Sequence, residues 1–146
     1  SLDPNIRPGF IKDRDAHRAR ILRMAAKSDI IKFSDEDLDW FGMPGDHDAL
    51  AAEWLRIGPK MVVITKGAEG AEAYTAKHKV SVPSEKVTVV DTIGAGDVFN
   101  AAFLASLAHG EPVATCLAAG TRVASHAIST QPRSYGGLSQ SAETVR

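Results

Sequence analysis

The amino-acid sequence predicts an α/β domain in which helices alternate with buried strands around a partly parallel sheet. An apolar run at 29–33 lies between two segments whose apolar residues recur with helical spacing. A stronger apolar run at 60–65 follows a third such segment. Glycine follows three of the helical patterns, at Gly42, Gly58 and Gly110, as expected at helix ends.

The predicted helices are defined by their apolar periodicity and by their end signals. Ser34 and Asp37 have the spacing of a reciprocal N-terminal cap. Gly110 marks a helix end, and Pro112 stands at the start of the next helix. The predicted helical ranges are 13–26, 35–41, 46–56, 94–109 and 112–128.

The remaining apolar runs are short and are predicted to be strands. The predicted strand ranges are 29–33, 60–65, 71–75, 79–82 and 87–90. The tail after Thr130 contains a proline and two glycines and is expected to be irregular. No repeat or linker divides the 146 residues, so we expect a single domain over 1–146.

The charge and composition of the chain limit the kinds of molecule that it is expected to bind. The formal net charge of -1 argues against binding to nucleic acid or to an anionic membrane surface. The longest apolar stretch, at 101–108, is too short to cross a bilayer, and no basic-then-apolar leader opens the chain. Cys116 is the only cysteine, and no histidines have zinc-ligand spacing. We therefore expect a cytoplasmic protein that binds small molecules.

The segment with the most chemical information is DTIGAGD at 91–97, where a predicted strand meets a predicted helix. Gly94 and Gly96 let the backbone approach a ligand closely, and free N–H groups in a first helical turn favour an anion. Asp97 would place a carboxylate beside that anion, where it can take a proton from an attacking hydroxyl. The alternative is an aspartate that only balances the helix dipole.

Two common glycine motifs do not match this segment. A P-loop requires lysine and then serine or threonine after its last glycine, whereas Asp97 and Val98 follow Gly96. A dinucleotide fingerprint requires a small residue where Phe99 stands. Neither of these two motifs therefore explains the segment.

The segment at 91–97 resembles the second signature of the ribokinase-like, or pfkB, carbohydrate kinases, which reads Asp-Thr-x-Gly-Ala-Gly-Asp. Three other segments are similar to family motifs and occur in the family's order. DPNIR at 3–7 resembles the Asp-x-Asn-x-Arg segment of fructokinases and 2-keto-3-deoxygluconate kinases, KFSDED at 32–37 stands in place of Asn-x-x-Glu, and TKGAEG at 65–70 resembles the Thr-x-Gly-x-x-Gly nucleotide loop. The resemblance, which covers 3–128, implies a ribokinase-like fold with a doubly wound, mostly parallel sheet and flanking helices.

The resemblance also implies site residues. Asp97 would be the catalytic base, and the amides of Gly94, Ala95 and Gly96 would bind the transferring phosphoryl group. The residues implied in nucleotide binding are Thr65, Gly67, Gly70, Arg7 and Asn5. The alternatives are a simple strand-ending turn at 65–67 and a surface arginine at position 7.

The cofactors implied by the resemblance are ATP and Mg²⁺, with K⁺ as an activating ion in many members. Asp91 and the carbonyl of Ile93 resemble part of the potassium site, and Asp37 stands where the family contacts magnesium through water. Two departures count against these metal sites. Ser34 and Asp37 replace the family's Asn and Glu, and STQPRS at 129–134 replaces an Arg-x-Gly-Ala segment.

The predicted function is ATP-dependent phosphorylation of a sugar hydroxyl, with fructose favoured by the segment at 3–7. The alternative acceptors are 2-keto-3-deoxygluconate, ribose and a nucleoside. The family's N-terminal part, with the first signature, much of the sugar pocket and a β-strand lid, has no counterpart in this sequence. We therefore expect a domain truncated on its N-terminal side, with weak activity or none alone.

The second hypothesis is an inactive nucleotide-binding or assembly module of the same fold. A sheet without its first strands would expose hydrogen-bonding groups along an edge. Such an edge pairs readily with another copy, so we expect a homo-oligomer.

Overall fold

The computed structural model describes residues 1–42 and 46–129, in which a four-stranded sheet carries helices on both faces. The strands, in their order across the sheet, are β1 (Ile30–Ser34), β2 (Met61–Thr65), β3 (Ala71–Thr75) and β4 (Lys79–Val82). The helices are α1 (Arg14–Ala25), α2 (Asp35–Phe41), α3 (His47–Ile57), α4 (Ala95–Ala108) and α5 (Val113–Ser129). Short 3₁₀ turns occupy Pro8–Phe10 and Gly67–Glu69.

The sheet is mixed rather than mostly parallel. β1 and β2 run parallel, with Lys32 opposite Val63 and Ser34 opposite Thr65. β2 pairs antiparallel with β3, and β3 pairs antiparallel with β4. Helices α2 and α3 provide the long connection that a parallel pair needs, whereas the short connections after β2 and β3 favour hairpins. Of the three strand pairs in the described sheet, one is therefore parallel, as predicted, and two are antiparallel.

The start of the chain lies along the outer edge of β1. Leu2 forms an isolated parallel bridge with Ile31, in which its N–H donates to the Ile30 carbonyl at 2.8 Å and its carbonyl accepts from the Lys32 N–H at 2.9 Å. The side chain of Leu2 is buried. This short extended segment delivers the next residues, 3–7, to the end of the sheet where β1 and β2 finish.

One face of the sheet packs against α1, α2 and α3 through an aromatic cluster. Phe33 of β1 is fully buried, and its ring lies 4.7 Å from the Trp54 ring and 5.9 Å from the Phe41 ring. Burial of such large rings dominates the energetics of a core. This cluster fixes the two helices that connect β1 to β2.

The other face packs against α4 and α5. Val63 of β2 meets Phe99 and Phe103 of α4 and Leu117 of α5 in a second buried cluster. A Cβ on Gly120 of α5 would lie 2.9 Å from the Phe99 ring, so glycine is what lets the two helices approach this closely. Through this packing, the N-terminal end of α4 is placed over β1.

The five predicted helices and four of the five predicted strands are confirmed, and so is the reciprocal cap. The Ser34 hydroxyl accepts the Asp37 N–H at 3.2 Å, and the Asp37 carboxylate accepts the Ser34 N–H at 2.9 Å. The strand predicted at 87–90 is wrong, because this segment is not a strand of the described sheet and the Val90 N–H donates instead to the Ile128 carbonyl, near the end of α5, at 2.7 Å. None of the helices in the described ranges has the length and apolar content that a bilayer crossing needs. The predicted irregular tail after Thr130 lies outside the described residues.

Candidate active site

Helix α4 begins directly after a left-handed glycine. Gly94 has φ +78°, a conformation that residues with a Cβ avoid. The N–H groups of Gly94, Gly96 and Asp97 donate to no described residue, and those of Gly96 and Asp97 belong to the positive end of the helix. The Ala95 N–H instead donates to the Thr92 carbonyl at 3.2 Å. The predicted anion site therefore needs correction at Ala95, whose amide is already bonded within the turn.

Asp97 lies in the first turn of α4 with its side chain exposed. The carboxylate makes no hydrogen bond and no ion pair with any residue that the structure describes. Asp91 holds the preceding turn instead, since its Oδ1 accepts the Ile93 N–H at 2.9 Å. The carboxylate of Asp97 is therefore available to a ligand at the same helical turn as the unbonded amides.

A buried lysine of β1, Lys32, lies against this turn on the side that faces the sheet. The Lys32 side chain is 6% exposed, and its Nζ lies 3.1 Å from the position that a Cβ on Gly96 would take. The Asp3 Oδ2 atom accepts Lys32 Nζ at 3.2 Å and Asn100 Nδ2 at 2.8 Å. Sequence reasoning assigned no role to these three residues. The signal for Lys32 was present, because a charged residue interrupts an otherwise apolar buried strand.

The predicted nucleotide-binding residues Asn5 and Arg7 lie close to this cluster along the chain. The Asn5 N–H donates to Asp3 Oδ1 at 3.1 Å, and Asn5 itself is left-handed with φ +44°. The Ile6 N–H donates to Asp37 Oδ1 at 2.7 Å. Arg7 is exposed, and its guanidinium donates to the Ile6 carbonyl at 3.3 Å and to no other residue within 1–42 and 46–129. Arg7 is therefore free to turn towards a ligand, while the backbone that carries it is held at two points.

Asp37 is occupied by its structural contacts. Its side chain accepts the Ile6 N–H through Oδ1 and both the N–H and the hydroxyl of Ser34 through Oδ2, and the residue is 3% exposed. The arrangement fits a helix cap and does not fit a contact to magnesium-bound water. This result favours the cap interpretation of the sequence.

The potassium assignment gains no support from the described part of the chain. Asp91 uses one carboxylate oxygen in its own turn, and Ile93 is 88% exposed. No group of three or more His, Cys, Asp or Glu side chains that could bind a metal occurs in residues 1–42 and 46–129. The segment at 130–134, which departs from the family pattern, lies outside those residues. The potassium assignment stays a prediction.

The predicted nucleotide loop follows β2. Thr65 donates from its hydroxyl to the Phe33 carbonyl at 3.3 Å, and the Lys66 N–H closes the loop on the Gly70 carbonyl at 2.8 Å. A Cβ on Gly70, where φ is +99°, would lie 2.0 Å from the Val82 carbonyl, so packing against β4 requires glycine there. At Gly67 no atom lies within 4 Å of the Cβ position, so a ligand can approach its backbone.

The nucleotide loop and the α4 turn lie at the same end of the parallel strands. Thr65 is two residues beyond Val63, the partner of Lys32, which corresponds to about 7 Å along the strand. Lys32 in turn lies under Gly96. Ligands of α/β proteins bind at the carboxyl ends of such strands. The geometry therefore brings the loop, the α4 turn and the segment at 3–7 to one edge of the sheet.

A buried carboxylate, Glu72, holds the loop residue Lys66 in place. Lys66 Nζ donates to Glu72 Oε1 at 2.9 Å, and the Tyr74 hydroxyl donates to Oε2 at 2.7 Å. His47 Nδ1 lies 3.2 Å from the same Oε2. Burial acts to raise the pKa of Glu72, but the hydrogen bonds from Tyr74, Lys66 and His47 outweigh it and lower that pKa to about 2. Burial, followed by the hydrogen bond to Glu72, raises the pKa of Tyr74.

Glu72 is expected to make the fold sensitive to acid. Its pKa is about 2 in the folded chain and 4.5 ordinarily, so its contribution to stability is present above pH 4.5 and is lost as the pH falls towards 2. We expect Glu72→Gln to lower the free energy of unfolding by about 3 kcal/mol at pH 7, and by progressively less below pH 4.5. Urea unfolding at pH 7, 5 and 3 measures this. The exposed Glu53→Gln serves as the control, and equal losses for the two variants at pH 7 would contradict the prediction.

Comparison with known proteins identifies the family. The model of the pfkB family carbohydrate kinases matches residues 1–135. The chain belongs to the pfkB family. This pfkB chain is 77% identical over 107 residues to a fructokinase from Rhizobium leguminosarum bv. trifolii, a match that covers 73% of the chain and 33% of the relative. It is 35% identical over 115 residues to fructokinase-2 from Oryza sativa subsp. japonica, covering 77% of the chain and 34% of the relative.

Solved structures confirm the ribokinase-like fold of the pfkB chain. A putative ribokinase II from E. coli, in complex with ATP and Mg²⁺, superposes with a TM-score of 0.80 at 27% identity, covering 90% of this chain and 42% of that one. Aminoimidazole riboside kinase from Salmonella enterica, complexed with aminoimidazole riboside and an ATP analogue, superposes with a TM-score of 0.80 at 26% identity. This match covers 89% of this chain and 46% of the kinase chain. The pfkB chain thus spans about a third of these curated relatives and less than half of these solved chains.

Proposed function

We propose that this pfkB chain provides the nucleotide loop and the phosphoryl-transfer site of an ATP-dependent sugar kinase, with fructose as the acceptor. The observation that carries the proposal is the exposed carboxylate of Asp97 in the same turn as the unbonded N–H groups of Gly96 and Asp97. A base and an anion site so close together suit attack by a hydroxyl on a phosphoryl group. Membership of the carbohydrate kinase family supports the same chemistry.

In the proposed reaction, Asp97 accepts the proton of the sugar hydroxyl as the hydroxyl oxygen attacks the γ-phosphorus of ATP. The bond from that phosphorus to the β,γ-bridging oxygen breaks, and ADP leaves with the electron pair. The amides of Gly94 and Gly96 face the charge on the transferring group, which preorganised donors stabilise without rearranging. These steps need only groups that the structure leaves unbonded.

ATP would lie along the loop after β2. Thr65, Gly67 and Gly70 shape this loop, and the backbone at Gly67 is open to a ligand. Arg7 can reach phosphate oxygens from the segment at 3–7, because its guanidinium has no acidic partner among the described residues. Mg²⁺ bound with ATP neutralises phosphate charge. Asp37 does not fit a magnesium role, so no step is assigned to it.

Fructose is favoured as the acceptor because the relatives with the highest identity quoted above are fructokinases. The alternatives of 2-keto-3-deoxygluconate, ribose and a nucleoside use the same transfer step at the α4 turn. A second candidate function is an inactive nucleotide-binding or assembly module that forms a homo-oligomer. It is favoured by the exposure of Val89, Val90 and Ile93 near the site.

An ADP-release assay separates the two candidates. It is run on the 146-residue chain and on a chimeric kinase, in which residues 1–129 replace the corresponding segment of the Rhizobium fructokinase. We expect the chimeric kinase to release ADP in the presence of fructose and the chain alone to bind ATP with little turnover. A chimeric kinase that folds and binds ATP but phosphorylates no sugar would contradict the proposed function.

A further inference from the structure

The most unusual charge in the described structure is the ammonium of Lys32. Its neighbours in β1, Ile31 and Phe33, are fully buried, and Lys32 is itself 5% exposed. Removing an ammonium group from water is costly unless an anion and hydrogen bonds replace the water. The acceptor that the structure provides is Asp3, whose Oδ2 is shared with Asn100 and whose side chain is 20% exposed.

The position of Lys32 adds a second electrostatic cost. Its Nζ lies 3.1 Å from the Cβ position of Gly96, directly under the first turn of α4. A helix N-terminus carries partial positive charge and is stabilised by anions, not by cations. Lys32 and the unbonded amides of Gly96 and Asp97 therefore bring positive charge to one place. Asp3 is the carboxylate that contacts the ammonium, whereas the exposed carboxylate of Asp97, in the same turn, makes no described contact with it.

An anion bound at this turn would face the unbonded amides directly and the Lys32 ammonium through the turn. We infer that Lys32 is a positioning residue for phosphoryl transfer: its ammonium, held by Asp3, acts through the α4 turn to stabilise the charged phosphoryl group there. The inference deepens the proposed function and rests on it for the identity of the anion. A side chain at position 96 would require the ammonium to shift by a few tenths of an ångström.

Two substitutions distinguish this role from that of a structural ion pair. Lys32→Met removes the charge with similar volume, and Asp3→Asn removes the carboxylate and leaves the ammonium. If the pair were only structural, both variants would break it and have the same effect. If the charge acts on the anion, Lys32→Met weakens anion binding, whereas Asp3→Asn leaves it unchanged or strengthens it.

The first experiment titrates inorganic phosphate into the 146-residue chain and follows the backbone amide resonances of Gly96 and Asp97 by NMR. We expect Lys32→Met to weaken phosphate binding about 10-fold and Asp3→Asn not to weaken it. Thermal unfolding verifies that the variants fold, and Lys32→Gln replaces Lys32→Met if the latter does not. Equal weakening in the lysine and aspartate variants, or no phosphate-dependent shift in the unmodified chain, would overturn the inference.

The second experiment measures the chimeric kinase. Loss of one preorganised electrostatic group typically costs about 10²-fold or more in kcat. We expect a loss of this order for Lys32→Met with little change in the KM for fructose. Asp3→Asn keeps an oxygen that accepts from the Lys32 ammonium, so its loss of kcat should be smaller. A Lys32→Met variant with unchanged kcat would refute the role. If the chimeric kinase transfers no phosphate at all, the proposed function fails, and the phosphate titration still decides the effect of Lys32.

Discussion

Asp97→Asn is expected to lower the kcat of the chimeric kinase by about 10²–10⁴-fold, the range that a general base contributes. Asparagine keeps the size of the side chain but cannot accept the proton of the sugar hydroxyl at neutral pH. Because the Asp97 carboxylate has no partner among the described residues, the substitution breaks no contact within the fold. The affinity for ATP should therefore stay within a few-fold, and initial rates with calorimetric ATP binding measure both quantities.

A matched control tests the alternative that Asp97 only balances the dipole of α4. Asp15 is also exposed and also lies in the first turn of a helix, α1, outside the segments 3–7, 65–70 and 91–97 that form the proposed site. Asp15→Asn should cost about 0.3–1 kcal/mol of stability through the helix dipole and leave kcat unchanged. If Asp97→Asn behaves like Asp15→Asn in both measurements, Asp97 has no role in proton transfer.

Phe33→Ala is expected to lower the free energy of unfolding by about 3–5 kcal/mol, the usual cost of truncating a buried aromatic side chain. Its ring is fully buried between the Trp54 and Phe41 rings, so truncation leaves a cavity that the surrounding packed side chains cannot close. The loss is a large share of the total stability of an ordinary domain. Denaturant unfolding followed by circular dichroism measures it.

The control for this substitution is the same change at an exposed site. Phe10 lies in the 3₁₀ turn Pro8–Phe10 with 88% of its surface exposed. Phe10→Ala should change the free energy of unfolding by less than about 0.5 kcal/mol. A cost at Phe33 as small as that at Phe10 would show that the aromatic cluster contributes little to the stability of this fold.

Local signals in the sequence were sufficient for most of the fold. The cap at Ser34 and Asp37 and the glycine before α4 each act within a few residues, so their types and spacing reveal them. The segment at 87–90 shows the limit of such reasoning. Its valines favour a strand, but a strand needs a neighbouring edge, and this segment contacts the end of α5 instead.

The site was predicted unevenly for a similar reason. The sequence located Asp97 and the turn of Gly94 and Gly96, because these residues are adjacent. It could not show that the Ala95 amide bonds to Thr92, which depends on the geometry of the turn. It also assigned no role to the contact of Lys32 with Asp3 and Gly96, which joins three distant segments through the packing of α4 over β1.

The opening segment of the chain behaves as a mechanical brace. Leu2 pairs with β1 through a parallel bridge, and Asp3 accepts a hydrogen bond from Asn100 of α4. The Ile6 N–H donates to the carboxylate of Asp37 in α2. A shift of either helix must therefore pull on the backbone that presents Arg7. We therefore expect β1, α4 and the backbone of Arg7 to move together when a ligand binds between them, so that this end of the molecule behaves as one rigid unit.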